Sequence, residues 1–77
     1  MWVCTQNEGA LYHVIAVRAV RMISEHSYSV IGILPGEKEP VILGEYVDYQ
    51  TASAEIKHMD TFLSNGTKTV YHMQKEN

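Results

Sequence analysis

Cys4 and the four histidines, His13, His26, His58 and His72, have the widest chemical range of any side chains in this 77-residue chain. A thiolate beside an imidazole makes a nucleophilic pair, and three or four such groups at suitable spacing hold zinc. The spacing supports neither use. Successive histidines stand 13, 32 and 14 positions apart, each in a different predicted element, and no H-x-x-x-H, C-x-x-C or H-x-x-E-H run occurs. Cys4 follows Val3 in a short β-prone run, where a free cysteine ordinarily serves as a small apolar strand residue. Ser24, Ser27, Ser29, Ser53 and Ser64 lie in no G-x-S-x-G elbow. Glu37 and Glu39 occupy a charged segment bounded by Pro35 and Pro40, which reads as a solvated tip and not as an acid/base pair. Gly44-Glu45-Tyr46 carries one glycine where a dinucleotide cradle needs three. The expectation is a protein without a catalytic site, a metal or a cofactor.

Binding is better represented than catalysis. Arg18 and Arg21 fall on one predicted strand and Lys68 near another. Brought together across a subunit boundary, they would present guanidinium forks to a small anion. Tyr12, Tyr28 and Tyr71, with Trp2, offer flat faces on which a base can stack. The plainer alternative makes the arginines exposed strand residues and the tyrosines cross-strand packing partners.

The elements that must position these side chains follow from pattern. Trp2-Val3-Cys4-Thr5 and Ala10-Leu11-Tyr12-His13 flank the turn residues Gln6-Asn7-Glu8-Gly9, which predicts a hairpin. Residues 17–24 predict a third strand, with Val20 and Met22 on one face and Arg21 on the other. Glu25-His26-Ser27 forms the next turn. Tyr28, Val30, Ile31, Ile33 and Leu34 give the strongest strand signal, and Gly32 within it marks a bulge or a close backbone approach. After the Pro35–Pro40 loop, Val41-Ile42-Leu43-Gly44-Glu45-Tyr46 predicts a fifth strand. Asp48 is placed to cap a helix in which Ala52, Ile56, Met59 and Leu63 make an apolar stripe, with Gln50, Lys57, His58 and Asp60 toward water. Asn65-Gly66 ends it. Residues 67–73 are β-prone, so Tyr71-His72-Met73 forms a last strand or an arm, and residues 74–77 fray. The expected fold is α+β: an antiparallel β-meander of about five strands, one helix, and a short C-terminal strand or arm, all in one domain. One helix cannot cover both faces of such a sheet, so a face or an edge is left for water or another subunit.

The totals narrow the partners. A single cysteine allows no internal disulfide, and so short a chain has a thin core, which makes self-association the expected remedy. Nine acids against six bases give a net charge of −3, which argues against a duplex-binding protein. No apolar run is long enough to span a bilayer, and the first residues lack the pattern of a secretory leader. A cytoplasmic setting is expected.

Several stretches together resemble a group of short, mostly uncharacterised proteins of Gram-positive bacteria and their phages and prophages. They are Trp2-Val3-Cys4-Thr5-Gln6-Asn7, then Ile42-Leu43-Gly44-Glu45-Tyr46 before the helix, and Ala52, Ile56 and Met59 along it. Asn65-Gly66 and Tyr71-His72-Met73 complete the likeness. Asp48 stands where the group usually has threonine, and Gln74 where a proline is common. The resemblance implies the meander-plus-helix fold and a phage or mobile-element origin. By analogy with small acidic phage proteins it implies an antagonist of host defence, in one of two forms. The first is a homo-oligomer that sequesters an anionic, nucleotide-like signal. The second is an inhibitor that binds a host protein through a sheet edge or the acidic Glu37–Glu39 loop.

Overall fold

The computed structural model describes residues 1–6, 9–22, 27–64 and 70–74. Within them the chain is α+β, with six strands in two three-stranded sheets and one helix. The strands are β1 (Trp2–Cys4), β2 (Leu11–His13), β3 (Ala16–Met22), β4 (Ser27–Ile33), β5 (Val41–Tyr46) and β6 (Tyr71–His72). The helix, α1 (Tyr49–Ser64), lies between β5 and β6. The strands expected of one meander divide into a sheet ordered β2-β1-β6 and an antiparallel meander ordered β3-β4-β5.

The division occurs where β2 runs into β3. Val14 still belongs to the first sheet: its amide donates to the Met1 carbonyl at 2.8 Å, and the Met1 amino group returns a bond to the Val14 carbonyl at 3.1 Å. Ile15 already belongs to the second, donating to the Ile33 carbonyl at 2.8 Å. A second junction forms where β1 ends, because the Gln6 amide donates to the Leu43 carbonyl and its side-chain oxygen accepts from the Glu45 amide, both at 2.8 Å. Two short sheets are thereby tied at two corners, and the angle between them encloses a core that a flat meander could not.

The core comprises Val3, Val14, Val30, Leu43, Tyr46, Ala52, Met59, Tyr71 and Met73. It lies on one face of the β3-β4-β5 sheet, the face bearing Tyr28, Val30, Leu43 and Tyr46, and it is roofed by α1 and by the Val3–Tyr71 face of the other sheet. Gly32 sits at the tightest point. A β-carbon there would meet Val14 Cγ1 at 2.7 Å and Leu43 Cδ1 at 3.0 Å, so the glycine marks a close approach. The irregularity lies between Val30 and Ile31, where Gly44 and Ile42 are their partners and Leu43 is passed over. The extra residue lets Leu43 turn into the core while Ile42 stays outside. In the loop after β4, Pro35 precedes Gly36, which has φ 76°, and the Glu37 amide donates to the Leu34 carbonyl at 3.2 Å. This is the backbone a type II turn requires of a Pro-Gly pair.

The helix begins as its sequence predicts, with the Thr51 amide donating to Asp48 Oδ1 at 2.7 Å. Its buried stripe is rotated from the expected one. Ala52, Glu55 and Met59 are buried and Phe62 packs against the core, whereas Leu63 is 53% exposed. The reason is the C-terminal segment, which supplies hydrogen-bond donors to Glu55 and an aromatic edge to Phe62. The expected helix end at Asn65-Gly66 lies outside the described residues.

Candidate functional site

Arg18 and Arg21 do not converge. Three positions apart on a strand, they point to opposite faces. Arg21 is paired in register with Tyr28, on the face that carries the core; Arg18 is paired with Ile31, on the open face. Tyr71 is buried, and its ring meets Phe62 edge-on with centroids 5.2 Å apart. Tyr12 lies opposite Val3 and packs against the core. The Tyr71 ring is thus a wall of the interior, while Tyr12 is half-buried. Lys68 lies outside the described residues.

Two of the expected binding residues do meet. Arg21 and Tyr28 are direct cross-strand neighbours, which places their β-carbons about 5 Å apart. Tyr28 in turn meets the ring of Tyr49, edge to face, with centroids 5.7 Å apart. Tyr49 is the first residue of α1 and is 57% exposed. The corner between β3, β4 and the start of the helix thus sets exposed Arg21 next to Tyr28, and Tyr28 against the solvent-open ring of Tyr49. Asp48 borders it. Its carboxyl is held below the ordinary carboxylate range, first by the Thr51 backbone N–H and next by the Thr51 hydroxyl. The acid therefore caps the helix. Sequence pattern does not single out Tyr49 as a ligand contact, because only the packing of α1 brings it to β4.

Among the described residues Glu55 is the most connected polar side chain. Its side chain is buried; Oε2 accepts from the Tyr71 hydroxyl at 2.9 Å and from the Gln74 amide at 2.8 Å. Oε1 lies 3.4 Å from His58 Nδ1. The Gln74 carbonyl closes the cluster, accepting from Tyr46 Oη at 2.9 Å and Gln6 Nε2 at 3.0 Å. Burial is the first cause that raises the Tyr71 hydroxyl far above its ordinary pKa, followed by its bond to Glu55 and the nearby charge of that carboxylate. The hydroxyl stays a donor to Glu55, and the cluster ties the C-terminal segment to α1. Helical spacing is the sequence signal that points to it: Glu55 stands three positions after Ala52 and four before Met59, on the apolar side.

The remaining reactive groups are dispersed. His13 lies against Trp2 with ring centroids 5.0 Å apart. The parallel register of β1 and β6 sets Cys4 beside His72, on the face of that sheet away from Val3, and Cys4 is half-buried there. His26 lies outside the described residues. Among the described residues no three His, Cys, Asp or Glu side chains gather where a metal could bind. An apolar groove of about 300 Å³ runs past Met1, His13, Ile15, Ala16 and Leu63. Among the described residues no helix is long and apolar enough to cross a membrane. No protein-family model, no curated protein and no solved structure matches the chain.

Proposed function

We propose that the protein is a non-catalytic binding protein that sequesters a small anionic, nucleotide-like ligand, with the corner formed by Arg21, Tyr28 and Tyr49 as the contact site. The observation that carries this reading is the register of Arg21 with Tyr28 together with the contact of Tyr28 on exposed Tyr49. A guanidinium holds phosphate oxygens through paired N–H donors, and an open tyrosine ring accepts the face of a base. The resemblance to phage and prophage proteins suggests the setting, the cytoplasm of a bacterial host, and the role, removal of a nucleotide signal of host defence. Arg18 contributes from another subunit or has a different task.

Calorimetric titration with cyclic nucleotides and ADP-ribose derivatives tests the reading. A ligand of this class should bind, and Arg21→Glu should weaken it by at least about tenfold, the change expected from loss of a charge-assisted hydrogen bond. Tyr49→Ala should weaken it by a smaller factor. No binding across the series, or equal affinity in Arg21→Glu, removes the assignment.

The second reading, an inhibitor that docks on a host protein, rests on a separate observation. Strand β3 is seven residues long and ends its sheet, and among the described residues nothing pairs with its outer edge. Such an edge accepts an added strand. Arg18 and Arg21 along it would favour an acidic partner. Arg18→Glu combined with Arg21→Glu should then release a host protein without unfolding the chain.

A further inference from the structure

The face of the β3-β4-β5 sheet turned away from the core holds a self-complementary arrangement. Alternation along the strands puts Ala16, Arg18 and Val20 of β3, Ser27, Ser29, Ile31 and Ile33 of β4, and Ile42 and Glu45 of β5 on this side. Val20 and Ile33 are half-buried and Ile42 is exposed, whereas Ile31 and Ser29 on the middle strand are shielded within the single chain. Two registers order the face. Arg18, Ile31 and Ile42 form one row across the sheet, and Val20, Ser29 and Glu45 form the next. Arg18 therefore lies at one edge and Glu45 at the other, one row apart. Among the described residues neither has an ion-pair partner.

From this we infer that the protein forms a two-fold symmetric dimer through the open face of the β3-β4-β5 sheet, with Arg18 of each copy paired to Glu45 of the other. The charges select the direction of the axis. A two-fold parallel to β4, lying between the stacked sheets, exchanges the two edges and keeps each row at its own height. Arg18 then faces Ile42 of the second copy and stands one row, about 7 Å, from its Glu45, with the sheets about 10 Å apart. An arginine spans that offset while its methylenes cover the isoleucine. A two-fold perpendicular to β4 in the same plane instead sets Arg18 over Val20 and Glu45 over Ile42, and leaves both charges unpaired.

The Ser27 and Ser29 hydroxyls of β4 are already closed off within the single chain, so the contact falls to the side chains of the flanking strands. The face is small. Three strands of about six residues measure about 15 by 20 Å in projection, well under a standard interface, so weak association is expected. The arrangement deepens the homo-oligomer within the reading above and is independent of ligand binding, because Arg21, Tyr28 and Tyr49 lie on the other side of the sheet and stay open in the dimer.

Sedimentation equilibrium of the intact chain, from micromolar to near-millimolar concentration, tests the inference. The wild type should move from monomer to dimer with rising concentration. Arg18→Glu and Glu45→Arg should each weaken the dimer by at least about tenfold, as expected for like charges brought face to face. The charge-swapped double variant should recover most of the loss, and Arg21→Glu should dimerise as the wild type does. A wild type that stays monomeric, single variants that dimerise unchanged, or a double variant no better than the singles overturns the inference. Circular dichroism on the same samples separates misfolding from lost association. Failure here leaves the Arg21 ligand test standing, and failure there leaves the dimer.

Discussion

The two faces of the β3-β4-β5 sheet are built from the same strands and have opposite fates. On the inner face Val30, Leu43 and Tyr46 are closed over by α1 and the second sheet. The outer face carries exposed Arg18 and Ile42 and half-buried Val20 and Glu45 on its flanking strands, around a middle strand whose Ile31 is 7% exposed. Hydropathy does not separate them, since β-branched residues occur on both. What separates them is that only the inner face meets the single helix and the corner where β2 turns into β3. A short chain with one helix has enough material to cover one face, and the other becomes the surface through which it can act.

Adjacent residues on β5 put this contrast to its hardest test. Leu43 is 1% exposed and Ile42 is 48% exposed. Leu43→Ala should destabilise the fold by about 2–5 kcal/mol, through lost transfer energy and the cavity left behind. Ile42→Ala, measured in dilute monomer by the same urea titration, should cost under about 1 kcal/mol. Equal costs at the two positions would mean that the outer face is covered in the monomer.

A middle-sized effect is expected where the inner face depends on polar satisfaction. Tyr71→Phe removes a donor to buried Glu55 and should cost about 1–3 kcal/mol. It should also change the alkaline limb of stability. The Tyr71 hydroxyl titrates far above its ordinary value of 10.0 in the folded chain. Its contribution is therefore complete below that ordinary value and declines as pH rises from there toward the folded pKa. The wild type should lose stability over this range, and Tyr71→Phe should lose less of it.

The outer face should respond least. Ser29 buries a hydroxyl without a partner among the described residues, so Ser29→Ala should leave monomer stability unchanged or raise it by up to about 1 kcal/mol. A clear loss of stability in the monomer would mean that the hydroxyl has a partner within the chain.

Much of the architecture is legible in the sequence alone. Strand β5 matches its expected range residue for residue, Asp48 caps α1, and the short last strand includes Tyr71 and His72. Local rules suffice for these: alternation, turn chemistry, and the need of the first helical N–H groups for an acceptor. Strand periodicity also separates the arginine pair, since positions 18 and 21 are an odd number apart and cannot share a face. Tyr49 and Glu55 are harder. Each acquires its role from a partner remote in sequence, Tyr28 in one case and Tyr71 with Gln74 in the other.

Local sequence accounts for the kinds of element, their order, the caps and turns, and the shortage of helix relative to sheet. Those depend on neighbours within a few residues, where backbone sterics and local hydrogen bonds dominate. Long-range packing is what divides the strands into two sheets, takes Glu55 inside, and brings Tyr49 to Tyr28 beside Arg21. Each of these follows from contacts between segments tens of residues apart, and the geometry of those contacts is fixed only when the two corners close around Val14 and Gln6.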